Sequence, residues 1–129
     1  MAKEYPRSRR IAEQLRRELV EVVRDEVDDP RVGSVTFSEV QVSRDLSHAT
    51  VYLTVLGAEA EEVEACVEVL NRAHGFLRTQ VARRIRAKRI PHMRFVHDMA
   101  FDRGARLSAL IDEVAPRAEG ADDEQRGKE

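Results

Sequence analysis

Residues 69–97 read VLNRAHGFLRTQVARRIRAKRIPHMRFVH, and the apolar period inside this stretch is interrupted twice. Leu70 continues a stripe that begins at Val63, Cys66 and Val67, positions that fall on one side of a 3.6-residue helical repeat. At Ala73-His74-Gly75 the stripe stops beside a glycine, which costs a helix interior about 1 kcal/mol relative to alanine. The period resumes at Leu77, Val81 and Ile85. The spacing therefore predicts two helices meeting at a kink, the second a basic helix carrying Arg78 to Arg89. Ile90-Pro91 closes it, because proline pushes its predecessor out of the helical region. Met93 to Val96 then reads as a short strand.

Upstream of this stretch, Ile11, Leu15, Leu19, Val22, Val23 and Val27 repeat at helical spacing. Ser8 is the expected N-cap of that first helix, with Pro6 just before it, and Asp28-Asp29-Pro30 ends it. Val35 to Val42 is rich in β-branched residues, but its alternation slips: Val35 and Phe37 share one parity, Val40 and Val42 the other. A one-residue bulge near Ser38 or Glu39 restores a single inward face. After the turn-like Ser43-Arg44-Asp45-Leu46-Ser47, Thr50 to Val55 alternates cleanly, and the two strands are expected to pair antiparallel. Gly57 ends the pair, and a helix over 60–72 follows. Downstream, Leu107, Leu110, Ile111 and Val114 fit one short helix, and 116–129 hold too little apolar surface to fold. The expectation is an α+β protein of order α-β-β-α-kink-α-β: one domain over 1–115, its three-stranded sheet covered by helices on one face, and a disordered acidic tail over 116–129.

The chain has 129 residues, 42% hydrophobic, 36% charged and 5% aromatic, with a formal net charge of −2. Such a balance argues against a nucleic-acid binder when the chain is taken whole. It is neutral by cancellation, however. Residues 18–29 carry six acids against Arg24 alone, and 59–68 carry five acids and no base. Residues 69–97 carry eight bases and no acid: Arg72, Arg78, Arg83, Arg84, Arg86, Lys88, Arg89 and Arg94. Local field, and not the sum, steers a polyanion. The scarcity of aromatic residues separately opposes base stacking on rings. One cysteine, no apolar leader and no apolar run of about 18 residues lead to the expectation of a soluble cytoplasmic protein.

No phosphate loop, H-E-x-x-H, C-x-x-C or G-x-S-x-G occurs in the sequence, and His48, His74, His92 and His97 lack metal-ligand spacing. Cys66 falls on an apolar stripe, where it serves as a small hydrophobe. The acidic clusters at 25–29 and 59–64 read as helix-end electrostatics rather than as a metal site. No catalytic residue, metal or cofactor is expected. The basic stretch reads otherwise. A solvated helix face mixes both signs at i,i+4 spacing, and this one is almost all arginine, which suits bidentate phosphate contact better than lysine does. Ala73 and Gly75 allow close approach of two helix ends, with the second offering N–H groups to an anion.

The order α-β-β-α-α-β is similar to the type II KH topology, and several strings resemble the ribosome-binding factor A family of bacterial small-subunit assembly factors. They are Arg9-Arg10-Ile11-Ala12, Asp29-Pro30-Arg31-Val32-Gly33, Val42-Ser43-Arg44-Asp45-Leu46, Ala49-Thr50-Val51-Tyr52 and Ala73-His74-Gly75-Phe76-Leu77-Arg78. Arg84-Ile85-Arg86 leading to Pro91, then Phe95, Asp98 and Gly104-Ala105-Arg106-Leu107, complete the likeness. The resemblance implies a KH-like domain whose G-x-x-G loop is replaced by an Ala-x-Gly step. It implies a non-enzymatic monomer that binds the free immature 30S subunit near the decoding region. Such a factor assists late 16S rRNA maturation, including 5′-end processing, and supports growth in the cold. Neither a membrane nor a small-molecule substrate is expected as a partner. Transferred to this chain, the RNA-facing residues are Arg7, Arg9, Arg10, Arg44, Arg72, Ala73, Gly75, Arg78, Arg83, Arg84, Arg86, Lys88 and Arg89. Without a G-x-x-G loop or paired aromatics, recognition is expected to rest on phosphate and shape. The competing expectation is a protein-interaction module that docks a basic partner through the acidic helix and tail.

Overall fold

The computed structural model describes residues 6–100 apart from Lys88. Six elements follow one another: α1 (Pro6–Glu26), β1 (Val35–Val42), β2 (His48–Val55), α2 (Ala60–Arg72), α3 (His74–Arg84) and β3 (His92–His97). The chain divides between His97 and Asp98, and all six elements fall in the first unit. The expected helix over 107–114, the domain boundary at 115 and the tail lie outside the described residues.

The sheet order is β1-β2-β3, with β1 antiparallel to β2 and β2 parallel to β3. Antiparallel strands can be joined by a tight turn, whereas a parallel pair needs a long crossover, which α2 and α3 supply. Phe37, Ala49, Val51, Leu53, Met93 and Phe95 are buried on the sheet face that carries the helices. Glu39, Gln41, His48, His92 and Arg94, of the opposite parity, are exposed. The helices thus cover one face, as expected of this α+β order. The register shifts between Phe37 and Glu39, so the bulge falls where the broken alternation required one.

Three sequence expectations give way locally. Ser8 does not cap α1, because the helix already includes Pro6, whose fixed φ suits a first turn, and Ser8 lies buried inside it. The kink narrows to one residue, Ala73, and Gly75 sits within α3. The basic helix also stops early. It ends at Arg84, Ile85 turns extended (φ −106°, ψ 132°), and Arg86 and Arg89 lie on irregular chain beyond it. Ile85 and Ile90 are both buried, at 5% and 6% exposure, so the apolar spacing that mimics a helix is satisfied by a return segment. Arg78 Nε holds that return by donating to the Ile90 carbonyl at 2.9 Å.

The crossover is pinned by one side chain. Asn71, in the last turn of α2, donates through Nδ2 to the Phe95 carbonyl (2.9 Å) and accepts through Oδ1 from the Phe95 N–H (2.8 Å). Both groups are on the strand, and Phe95 itself is 1% exposed and packs on Phe37 with ring centroids 6.2 Å apart. Unsatisfied buried backbone groups cost about 1–3 kcal/mol each. Asn71→Ala is accordingly expected to lower stability by about 2–4 kcal/mol in urea unfolding.

Candidate nucleic-acid interface

α2 opens on an acidic end. Glu59 and Glu62 form a reciprocal capping box, with the Glu59 N–H donating to Glu62 Oε1 at 2.8 Å, and Glu61 joins them in the first turn. Its other end is the joint. The Ala73 N–H donates to the Val69 carbonyl (3.1 Å), and the Ala73 carbonyl accepts from the Leu77 N–H (2.9 Å), so one residue closes α2 and starts α3. Its φ of −91° and ψ of 13° set the bend. A Cβ built at Gly75 meets nothing within 4 Å. The fold therefore does not need glycine there, although glycine weakens a helix interior, and the result is bare backbone on the surface. Next to it Phe76 is 46% exposed. Sequence reading passed over Phe76, although its place one step off the Leu77–Val81 stripe predicts an outward ring.

The thirteen expected RNA-facing residues separate by what they touch. Arg84, 27% exposed, faces Glu21 (3.7 Å), Asp25 (3.9 Å) and Glu26 (3.7 Å) of α1, so its charge is largely spent within the fold. Arg78 is half-buried on the Ile90 carbonyl, and Arg72 pairs with Glu68 at 2.9 Å. Arg7, Arg9, Arg10, Arg83, Arg86 and Arg89 are exposed, with no carboxylate among the described residues at salt-bridge distance. Arg44 is exposed in the β1–β2 turn, and Lys88 lies outside the described residues.

Some of these residues converge. Arg7, Arg10 and Ile11 share one side of the first turns of α1, as i, i+3 and i+4 positions do. Together with Asp45 and Leu46 of the β1–β2 turn and Ala87 and Arg89 beyond α3, they line a cleft of about 390 Å³. Between Arg84, against the carboxyl half of α1, and Arg89, beside its first turns, the chain runs back along that helix. The turn is tightly built. Ser43 Oγ (2.8 Å), Ser47 Oγ (2.7 Å) and the Ser47 N–H (3.1 Å) all donate to Asp45 Oδ1, and these bonds hold its carboxyl down from 3.8 to about 2. Leu46 has φ of +63°, a left-handed conformation that costs a leucine ~1–2 kcal/mol.

Among the described residues, no group of three or more His, Cys, Asp or Glu is placed to hold a metal, and no helix is long and apolar enough to cross a membrane. Cys66 is fully buried, with its thiol 3.6 Å from the Val32 carbonyl, and burial pushes its pKa up to about 11.

A helix-covered mixed sheet with a one-residue helix joint defines a KH-like domain, on whose surface Arg7, Arg10 and Arg89 come together. The ribosome-binding factor A family model matches residues 7–111, so the chain belongs to that family. It is 80% identical over 124 residues to ribosome-binding factor A of Halorhodospira halophila, covering 96% of this chain and 97% of that one. The crystal structure of ribosome-binding factor A from Thermus thermophilus superposes with a TM-score of 0.60 at 31% identity, over 70% of this chain and 94% of that one. A homology model of the Thermus thermophilus factor, fitted into the cryo-EM map of a complex with the 30S subunit, is similar with a TM-score of 0.58 at 33% identity, over 68% and 91%.

Two measurements check this chemistry. Cys66 is expected to resist alkylation at pH 8 in the folded protein and to react at once in denaturant, since the thiolate is the nucleophile. The bonds to Asp45 favour its ionised form, so they act fully above pH 3.8 and fade as pH falls through about 2. An NMR titration of the Asp45 carboxyl carbon is expected to give a midpoint near 2, moving back up toward 3.8 in Ser47→Ala.

Proposed function

We propose that this chain binds the small (30S) ribosomal subunit by laying its cationic face on folded rRNA. By that non-catalytic binding it assists late 16S rRNA maturation, including 5′-end processing, as a cytoplasmic monomer. One observation carries the reading: Arg83, Arg86 and Arg89, with Arg7, Arg9 and Arg10 of α1, are exposed and unpaired among the described residues, whereas the neighbouring Arg84 is neutralised by α1. Arginines left without acids retain their capacity for phosphate. The exposed backbone at Gly75 supports the same reading, because a helix start without a side chain lets a sugar–phosphate strand come close. The relative fitted into a 30S complex supports the choice of partner.

The arginines can be separated by experiment. Arg83→Glu, Arg86→Glu and Arg89→Glu combined are expected to lower co-sedimentation with 30S particles by at least about tenfold with Tm retained. Arg84→Glu places a fourth acid among Glu21, Asp25 and Glu26, and is expected to lower stability by about 1 kcal/mol. Wild-type affinity is expected to fall about a thousandfold between 50 and 200 mM salt if some six phosphates are engaged. Unchanged sedimentation of the triple variant overturns the assignment of the face. Loss of binding on deletion of 116–129 instead favours docking through the acidic tail.

A further inference from the structure

We propose that the cleft between the first turns of α1, the β1–β2 turn and the segment beyond α3 holds one unpaired nucleotide of RNA. The inference rests on the RNA-binding reading above and gives it a specific subsite. Its volume, about 390 Å³, falls at the small end of the roughly 300–1,000 Å³ typical of ligand clefts. Three arginines from two distant segments line it: Arg7 and Arg10 from α1 and Arg89 from beyond α3. They suit the phosphates on either side of a single nucleotide, which planar guanidinium groups grip in bidentate fashion.

The rest of the lining distinguishes a splayed base from a duplex. Ile11, Leu46 and Ala87 are half-buried apolar side chains among those arginines. A double helix presents phosphates and sugars to such a surface, and an apolar lining gains nothing from them. An unstacked base has an apolar face to bury and N–H groups on its edge. Asp45 supplies the acceptor for such an edge. Its three bonds from Ser43 and Ser47 keep it ionised, and as a fixed anion it repels phosphate from its own corner of the cleft.

Leu46 adds an independent observation. The fold keeps a leucine at φ +63°, where glycine is free of strain, and fixes it by the Leu46 N–H donating to the Ser43 carbonyl at 2.9 Å. Strain held in place by surrounding bonds concentrates at ligand sites, and here it puts an apolar side chain into the lining of a cationic cleft.

Fluorescence anisotropy on the full chain, with a labelled single-stranded RNA octamer and an RNA hairpin stem of equal charge, tests the proposal. The single strand is expected to bind at least about tenfold tighter than the stem at matched salt. Leu46→Gly relieves the strain and is expected to keep Tm while weakening the single strand by about tenfold. Arg10→Glu is expected to do the same through charge. Equal affinity for strand and stem, or wild-type affinity in both variants, overturns the nucleotide subsite. If the wild-type chain still co-sediments with 30S particles in that case, the proposed function stands without the subsite. Failure of the wild type to bind 30S particles overturns both.

Discussion

Asn71 grips the N–H and the C=O of Phe95, and this double contact fixes where α2 stops against the sheet. Because β3 lies parallel to β2, the chain has to travel back past the sheet between them. It does so as two helices joined at Ala73, the second residue after the clamp. The clamp lies two residues before the joint and so holds the end of α2 against the strand where α3 begins.

The same crossover sorts the charges. α2 starts among glutamates and α3 ends among arginines, so the crossover carries opposite signs at its two ends. Arg84 ties the end of α3 to three carboxylates of α1, so its own charge is offset within the fold while part of the acidic block is partnered. Arg83, Arg86 and Arg89 are exposed with no carboxylate among the described residues at salt-bridge distance, so their charges stay available to solvent and to a polyanion. A net charge of −2 is compatible with a cationic face because folding, and not composition, decides which charges meet.

Local physics made much of this legible in the sequence. The bulge in β1 followed from broken alternation, α2 from its stripe, and the break near Ala73 from a glycine beside a small residue. What stayed hidden depends on residues far apart in the chain. Nothing near Arg84 announces that its partners are Glu21, Asp25 and Glu26, and the spacing of Ile85 and Ile90 passes for helix until both are seen buried by an extended return. The cleft draws its lining from residues 7–11, 45–46 and 87–89, three segments that no sequence pattern links. Phe76 is different, since its place one step off the Leu77–Val81 stripe already predicts an exposed ring.

On the proposed function, the chain meets RNA with the face carrying α3 and the segment beyond it. A protein–RNA crosslink map of the full chain on purified 30S particles tests it most directly. Crosslinks are expected from peptides within 72–89, joined by 7–11. Crosslinks confined to the acidic start of α2 and the region past 116, with none from 72–89, would contradict it.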